Sequence, residues 1–286
     1  MRAGVERLRR EVATRLPLGP GGYIVGAEPI ALDGDPERAV LLVHGFGDAT
    51  DTLAPLAAHL HARGWTVRAP LLPGHGRTLD AFAASGADAW LAAARTEYDA
   101  LRARHPYVAL VGLSMGGALS VLLAADTPPP ALVLLAPYLA VPPLVRLVGA
   151  LSPVAGRLAP WIRTGGEDSI RDPVASAASR GYGVVAPHLL RELARVVRCA
   201  RAALPRVTAP TRVVQSRHDN RIAPAAADAA FARLGALVKE LVWLEGSAHV
   251  ITVDYEKARV FALVEEWIGR FRGVASGSVP VARSAP

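Results

Sequence analysis

Six residues, Gly112-Leu113-Ser114-Met115-Gly116-Gly117, restrict this chain more than any other stretch. The apolar run 107–111 before them reads as a buried parallel strand, and the run 118–125 after them reads as a helix. A serine between glycines at such a turn takes a strained backbone conformation that pushes its hydroxyl clear of the sheet. Side chains at 112 and 116 would block that turn. The helix behind directs its free N–H groups at whatever collects beside the hydroxyl. The pattern G-x-S-x-G in a strand–turn–helix setting is a nucleophile elbow; a glycine-rich packing turn is the plainer alternative for five residues taken alone.

The flanking chain supplies the rest of an α/β architecture. Residues 39–43 form an apolar β-type run without alternation, as expected when both faces of a strand are covered, and His44-Gly45-Phe46-Gly47 follows directly. A glycine-flanked turn at the C-terminal end of a parallel strand is where an open α/β sheet places its ligand site. There the backbone N–H of Phe46 is a candidate for half of an oxyanion hole, with the N–H of Met115 as the other half. His44 reads as a brace for this loop, and His75 in Pro73-Gly74-His75-Gly76 as structural. A helix is expected from Asp51, acting as N-cap, to Arg63, and further strands at 65–70, 131–135, 211–215 and 240–244. In the helix over 87–104, Trp90, Leu91, Ala94, Tyr98 and Leu101 share one apolar face.

From Pro137 to about Thr208 the β-type runs stop and prolines recur, which predicts a helical cap inserted over the C-terminal edge of the sheet. Gly165-Gly166 and Gly181-Tyr182-Gly183 read as mobile joints in that cap. The expected organisation is an N-terminal arm over 1–22, core over 23–136, cap over 137–208, core again over 209–272, and a disordered tail over 273–286. The fold class is thus α/β: a mostly parallel central sheet flanked by helices, with an inserted helical cap.

A chain of 286 residues with 51% hydrophobic content can bury a large core. Its net charge of +7 rests on arginine, since Lys239 and Lys257 are the only lysines. The arginines are scattered, apart from small groups such as Arg195-Arg198-Arg201, and no aromatic platform is interleaved with them, which argues against nucleic acid. A solvated basic surface with some attraction to anionic interfaces is the expectation. Cys199 is the only cysteine, so neither an internal disulfide nor a thiolate metal cluster is available, and it reads as a small apolar filler. No apolar stretch resembles a secretory signal or is long enough to span a bilayer, so no stable membrane insertion is expected and the cytoplasm is the default compartment.

A serine hydroxyl needs a base within hydrogen-bond reach, and the base needs an acid on its other ring nitrogen. In a fold with this elbow the order along the chain is Ser, acid, His. Among the later histidines, His188 falls in the cap and His218 adjoins the acid candidate, whereas His249 sits in a loop just past the last strand. Among the acids, Asp126, Asp168, Asp172 and Asp228 fall on helix ends, the cap or a helix face; Asp219 alone directly follows a core strand on a loop. The expected triad is Ser114, Asp219 and His249.

The pieces Leu41-Leu42-Val43-His44-Gly45-Phe46, Pro73-Gly74-His75-Gly76, Gly112 to Gly117, His218-Asp219 with Pro224, and His249-Val250-Ile251-Thr252 with Asp254 resemble the α/β-hydrolase superfamily. Within it they are similar to small bacterial carboxylesterases and monoacylglycerol lipases. The resemblance implies Ser114 as nucleophile, Asp219 and His249 as its partners, Phe46 and Met115 as oxyanion donors, a lipophilic small-molecule ester as substrate, and neither metal nor organic cofactor. Thioester hydrolysis, carbon–carbon bond hydrolysis, acyl transfer and a non-catalytic binding role use the same fold and stand as alternatives.

Overall fold

Seven strands form the central sheet, and alternation along them explains how both faces are covered. The structure, a computed structural model, describes residues 2–153, 156, 159–164 and 169–271. In chain order its regular elements are α1 (Arg2–Arg15), β1 (Ile30–Leu32), β2 (Asp35–Val43), α2 (Ala54–His61), β3 (Trp65–Ala69), α3 (Leu79–Ala83), α4 (Ala87–Arg102), β4 (Tyr107–Leu113), α5 (Met115–Asp126), β5 (Leu132–Leu135) and α6 (Pro143–Ala150). They continue with β6 (Ile162–Arg163), α7 (Pro173–Ala178), β7 (Val184–Val185), α8 (Pro187–Ala203), β8 (Thr211–Ser216), α9 (Pro224–Ala232), β9 (Lys239–Leu244) and α10 (Lys257–Arg270).

The sheet order is β1-β3-β2-β4-β5-β8-β9, with β1 antiparallel to β3 and every other pairing parallel. Leu41 and Val43 of β2 pack into one hydrophobic core, while their neighbours Val40 and Leu42 pack into the other. Val108 and Leu110 of β4 divide from Ala109 and Val111 in the same way. The period-2 projection of strand side chains thus converts an unbroken apolar run into two separate cores. Trp90 and Tyr98 of α4 and Leu119 and Leu123 of α5 fill the first core; Leu56 and Leu60 of α2 and Val260, Val264 and Trp267 of α10 fill the second.

Four features depart from the sequence reading. Asp51 does not cap α2: it lies in a 3-10 turn, Thr50–Thr52, and Pro55 holds the first turn of the helix that follows. The segment from β5 to β8 is helical, but it also carries the antiparallel pair β6–β7, and α8 at 17 residues lays Leu189, Leu193, Val196 and Val197 into the first core beside α5. Cys199, read as a filler, is exposed on the outer side of that helix. The N-terminal segment is also docked. Val12 and Leu16 are buried in the first core, Glu11 holds Arg163 through both of its oxygens at 2.8 and 3.0 Å, and the Arg15 guanidinium donates to Gly181 O at 2.8 Å and Tyr182 O at 2.7 Å. The expected disordered tail and the Gly165-Gly166 joint lie outside the described residues.

Candidate active site

Ser114 sits between β4 and α5 with φ +54°, a left-handed value that a non-glycine residue holds only when its surroundings fix it. The fixing contacts are dense. Ser114 N–H donates to Leu135 O at 2.9 Å, and Ser114 O accepts from Gly117 and Tyr138 N–H, both at 2.9 Å. A Cβ added at Gly112 would lie 2.4 Å from both Gly116 O and Ser120 Oγ, and one at Gly116 only 2.0 Å from Val43 O. Both glycines are therefore required by close backbone approach, which seats α5 directly on the end of β2.

His249, in the loop after β9, joins the serine to the acid. Its Nε2 is 2.8 Å from Ser114 Oγ and its Nδ1 is 2.8 Å from Asp219 Oδ2. Asp219 follows β8 and is held on both oxygens: Oδ1 accepts from the N–H of Arg221 at 2.7 Å and Ile222 at 2.9 Å, and Oδ2 also accepts from Gln215 Nε2 at 2.6 Å. Burial pushes its pKa up, but the adjacent His249 and these hydrogen bonds outweigh burial and hold the carboxyl below its ordinary range. An ionised carboxylate on Nδ1–H leaves Nε2 as the acceptor facing the serine. The three residues are buried, and each comes from a different strand end.

The loop after β2 abuts this group. A Cβ on Gly45 would be 3.3 Å from Ser114 Cβ, and the following residue, Phe46, lines the same cavity as Ser114. Met115 is the first residue of α5, so its N–H has no intrahelical acceptor. His44 braces the loop: its Nε2 accepts from Leu72 N–H at 3.0 Å and its Nδ1–H donates to Gly45 O at 2.8 Å. Burial drives the His44 pKa down to about 4, so the ring is neutral and bridges two backbone segments. His75 packs among His44, Phe46, Phe82 and Trp90, and burial likewise holds it well below the usual histidine range. His188 bonds to Ala83 O at 2.8 Å, and the His218 side chain is exposed.

A cavity of about 410 Å³ opens at Ser114 and His249. Phe46, Phe82, Val145, Leu190 and Leu193 give it apolar walls, and Asp48, Thr164 and Arg221 add polar ones. Reading the sequence by motif overlooked several of these. Asp48 is two residues past Phe46, where burial and the neighbouring Asp51 push its pKa up to about 7. Its position one residue beyond His44-Gly45-Phe46-Gly47 was the available signal. Tyr138 stands edge-on to His249 at 6.4 Å, and Arg15 reaches the cavity from α1; neither carries a sequence signature. Gly181-Tyr182-Gly183, expected to be a joint, is an anchor instead: Tyr182 is buried, stacked on Phe82 at 4.8 Å, and its hydroxyl accepts from Arg77 N–H at 2.9 Å.

The sheet order, the elbow at the end of β4 and the position of the cap define the α/β-hydrolase class. The chain belongs to the serine aminopeptidase S33 family, whose sequence profile matches residues 34–256. Over 248 residues it is 29% identical to the thermostable monoacylglycerol lipase of Bacillus sp. (strain H-257), covering 87% of this chain and 96% of that protein. It is 28% identical over 248 residues to a carboxylesterase of Bacillus subtilis (strain 168), covering 86% and 97% respectively. Among solved structures it is similar to one from a study of LipS and LipT, two metagenome-derived lipolytic enzymes, with a TM-score of 0.78 and 29% identity over 86% of this chain and 98% of that one. Paleococcus ferrophilus monoacylglycerol lipase shares the fold, with a TM-score of 0.72 and 20% identity over 85% and 98%.

Proposed function

We propose that this chain is a serine hydrolase of carboxylic esters with lipophilic acyl groups, working through an acyl-enzyme. Ser114 is the nucleophile, His249 the base and then the acid, and Asp219 the residue that fixes the His249 tautomer and stabilises its cationic form. The observation that carries the reading is the unbroken chain from Ser114 Oγ through His249 to Asp219, with both links at 2.8 Å, opening into a cavity with apolar walls. In the first step Ser114 Oγ bonds to the ester carbonyl carbon while His249 Nε2 takes its proton. The oxyanion so formed accepts hydrogen bonds from the N–H groups of Phe46 and Met115. As the tetrahedral intermediate collapses, the bond to the alcohol oxygen breaks and His249 gives that oxygen the proton. Water, deprotonated by the same nitrogen, then attacks the acyl-serine, the Oγ–acyl bond breaks, and Ser114 regains its hydrogen.

The relatives named for monoacylglycerol lipase and carboxylesterase activity support the ester reading over the thioester, carbon–carbon and acyl-transfer alternatives. A fluorophosphonate probe should label Ser114, and Ser114→Ala should lose both labelling and at least ~10⁴ of kcat on p-nitrophenyl esters. A panel of p-nitrophenyl esters, monoacylglycerols, acyl thioesters and aminoacyl anilides then ranks the substrates. A folded protein that the probe does not label refutes the nucleophile, and a higher kcat/KM on anilides or thioesters refutes the ester assignment.

A further inference from the structure

Helix α1 lies ahead of residues 34–256, the stretch matched by the family profile, yet it puts a cation into the catalytic cavity. Val12 and Leu16, buried in the first core, fix the helix in place. Arg15 Nη2 then donates to Gly181 O at 2.8 Å and Tyr182 O at 2.7 Å, and stands 3.7 Å from where a Cβ on Gly183 would lie. Thr164 meets the same glycine, its N–H donating to Gly183 O at 3.0 Å. Both Arg15 and Thr164 line the cavity that opens at Ser114, so a guanidinium and a hydroxyl side chain share one corner of it. Val184 and Val185, next in the chain, line it too.

The Arg15 charge has no carboxylate bonded to it among the described residues. Glu11, the acid whose field reaches it, commits both oxygens to Arg163. Asp48 is the only carboxyl among the described residues that line the cavity, and the charges acting on it are Asp51, His249 and Arg221, not Arg15. Its Oδ2 lies 3.5 Å from the Cβ position of Gly45, the point that also meets Ser114, so Asp48 serves the triad end. Arg221, the cavity's other guanidinium, is two residues from Asp219, with Nε on Ser169 Oγ at 2.8 Å. Burial lowers the Arg15 pKa, the behaviour of a cation drawn partly out of water without a counter-charge. Among the described residues Nη2 alone bonds the protein, leaving Nε and Nη1 to donate elsewhere. Carboxylate and phosphate oxygens suit such a planar donor in charge and geometry, whereas a neutral hydroxyl would leave the charge unbalanced.

We propose that the substrate carries an anionic oxygen group, carboxylate or phosphate, remote from its scissile ester, and that Arg15 and Thr164 bind that group at the far corner of the cavity. A cavity of about 410 Å³ holds one small molecule, which spans from Ser114 to this corner across apolar walls. Helix α1, outside the matched stretch, thus sets which esters the site accepts. The inference rests on the ester-hydrolase reading for the bond that is cleaved, while anion recognition is read by binding alone.

The test is titration calorimetry on the full chain carrying Ser114→Ala, with two pairs of ligands. Monomethyl suberate is compared with dimethyl suberate, and 1-octanoylglycerol 3-phosphate with 1-octanoylglycerol. At least one anionic ligand should bind about tenfold or more tightly than its neutral counterpart, and the pair that shows this tells carboxylate from phosphate. Adding Arg15→Gln should abolish the preference, and Arg15→Lys, which keeps the charge without the fork, should keep about threefold of it. Thr164→Val, which leaves the α1 contacts in place, should lower the preference about threefold, so the corner is tested even where Arg15→Gln does not fold. Arg15 also ties down Gly181 and Tyr182, but a merely structural role would weaken both members of a pair alike and leave their ratio unchanged. No preference for either anionic ligand, or an unchanged ratio in the folded variants, would overturn the proposal. Fluorophosphonate labelling of Ser114 reports on the ester reading separately: a labelled wild-type protein without anion preference refutes this inference alone, and anion preference without labelling refutes that reading alone.

Discussion

Replacing Asp219 by Asn separates the chemistry of the site from its stability, and the hydrogen bonds around the carboxylate say how. Oδ1 accepts from two backbone N–H groups, at 2.7 and 2.9 Å, so the asparagine must keep its oxygen there. Its NH₂ then takes the place of Oδ2, facing Gln215 Nε2 and His249 Nδ1. Against Gln215 this sets donor against donor. However, Gln215 Oε1 is buried with no partner among the described residues, so a flip of that amide turns the clash into an N–H···O bond. The fold should lose no more than about 1 kcal/mol, a shift in Tm of a few degrees. At His249 no such repair exists. The asparagine N–H donates to Nδ1, the ring proton moves to Nε2, and that nitrogen can no longer accept from Ser114. The kcat should fall about 10⁴-fold with little change in KM. The assay is steady-state hydrolysis of a p-nitrophenyl ester beside a thermal melt, with the tautomer read from the ¹⁵N shifts of the imidazole. A variant that keeps more than about a tenth of kcat, or whose imidazole still carries its proton on Nδ1, would refute the assignment of Asp219.

Other outcomes follow from single contacts. Gly116→Ala puts a methyl group 2.0 Å from Val43 O, a backbone atom that cannot rotate away, so it should cost about 3 kcal/mol or more in urea unfolding; a smaller loss means that α5 does not sit on β2 as described. Leu16→Ala should cost about 2–4 kcal/mol, as for a core residue, whereas a loose arm would lose nothing measurable. His44, neutral in the fold with a pKa near 4 against 6.5 unfolded, is protonated first in the unfolded chain, so its share of stability is present above pH 6.5 and lost as pH falls toward 4. At 1.4 kcal/mol for each pH unit of that depression, the loss is on the order of 3 kcal/mol. Asp48, raised to about 7, works in the opposite sense, losing stability as pH rises toward 7. Comparison with His44→Asn isolates the histidine: the variant should be less stable at neutral pH yet flatter with acid, and an unchanged slope would contradict a buried neutral ring.

Local chemistry made much of this legible in the sequence. The elbow could be read because close backbone approach leaves glycine alone at 112 and 116, and strand runs could be read because burial on both faces removes their alternation. Asp219 and His249 stand out in the sequence as loop residues at strand ends, a topological argument that needs no distances, and the structure lines both side chains up with Ser114. What stayed hidden depends on contacts between distant segments. Val12 and Leu16 look like any apolar pair on a basic helix until the first core receives them. Tyr182 between two glycines reads as a hinge, because neither Phe82 nor the Arg77 backbone is near it in sequence. Asp51 reads as a cap because propensity cannot anticipate Arg180 N–H, which donates to its carboxylate at 3.0 Å.

Those long-range contacts also decide how the cap bears on the chemistry. The buried carboxylate of Asp254 accepts from Ala248 N–H at 2.7 Å and Tyr255 N–H at 2.9 Å in the loop that carries His249. The same carboxylate accepts from Arg171 N–H at 3.0 Å and Asp172 N–H at 2.9 Å at the start of α7. Just before these, Ser169 O accepts from Val250 N–H at 2.9 Å, and Ser169 Oγ accepts from Arg221 Nε at 2.8 Å, two residues beyond Asp219. Segment 169–172 is thus bonded to both the histidine loop and the acid loop. Moving it would strip the buried Asp254 carboxylate of the Arg171 and Asp172 N–H donors, and leaving a buried charged group short of partners costs more than the bonds contribute. Any opening of the cap that leaves the triad intact must therefore hinge on the far side of this segment. On the opposite edge of the cap, the contacts from Glu11 and Arg15 to Arg163, Gly181 and Tyr182 are exposed or only half-buried. Exposed ion pairs contribute little each and exchange readily with water, so what holds that edge is Tyr182, buried, stacked on Phe82 and donating its N–H to Gly47 O at 3.1 Å.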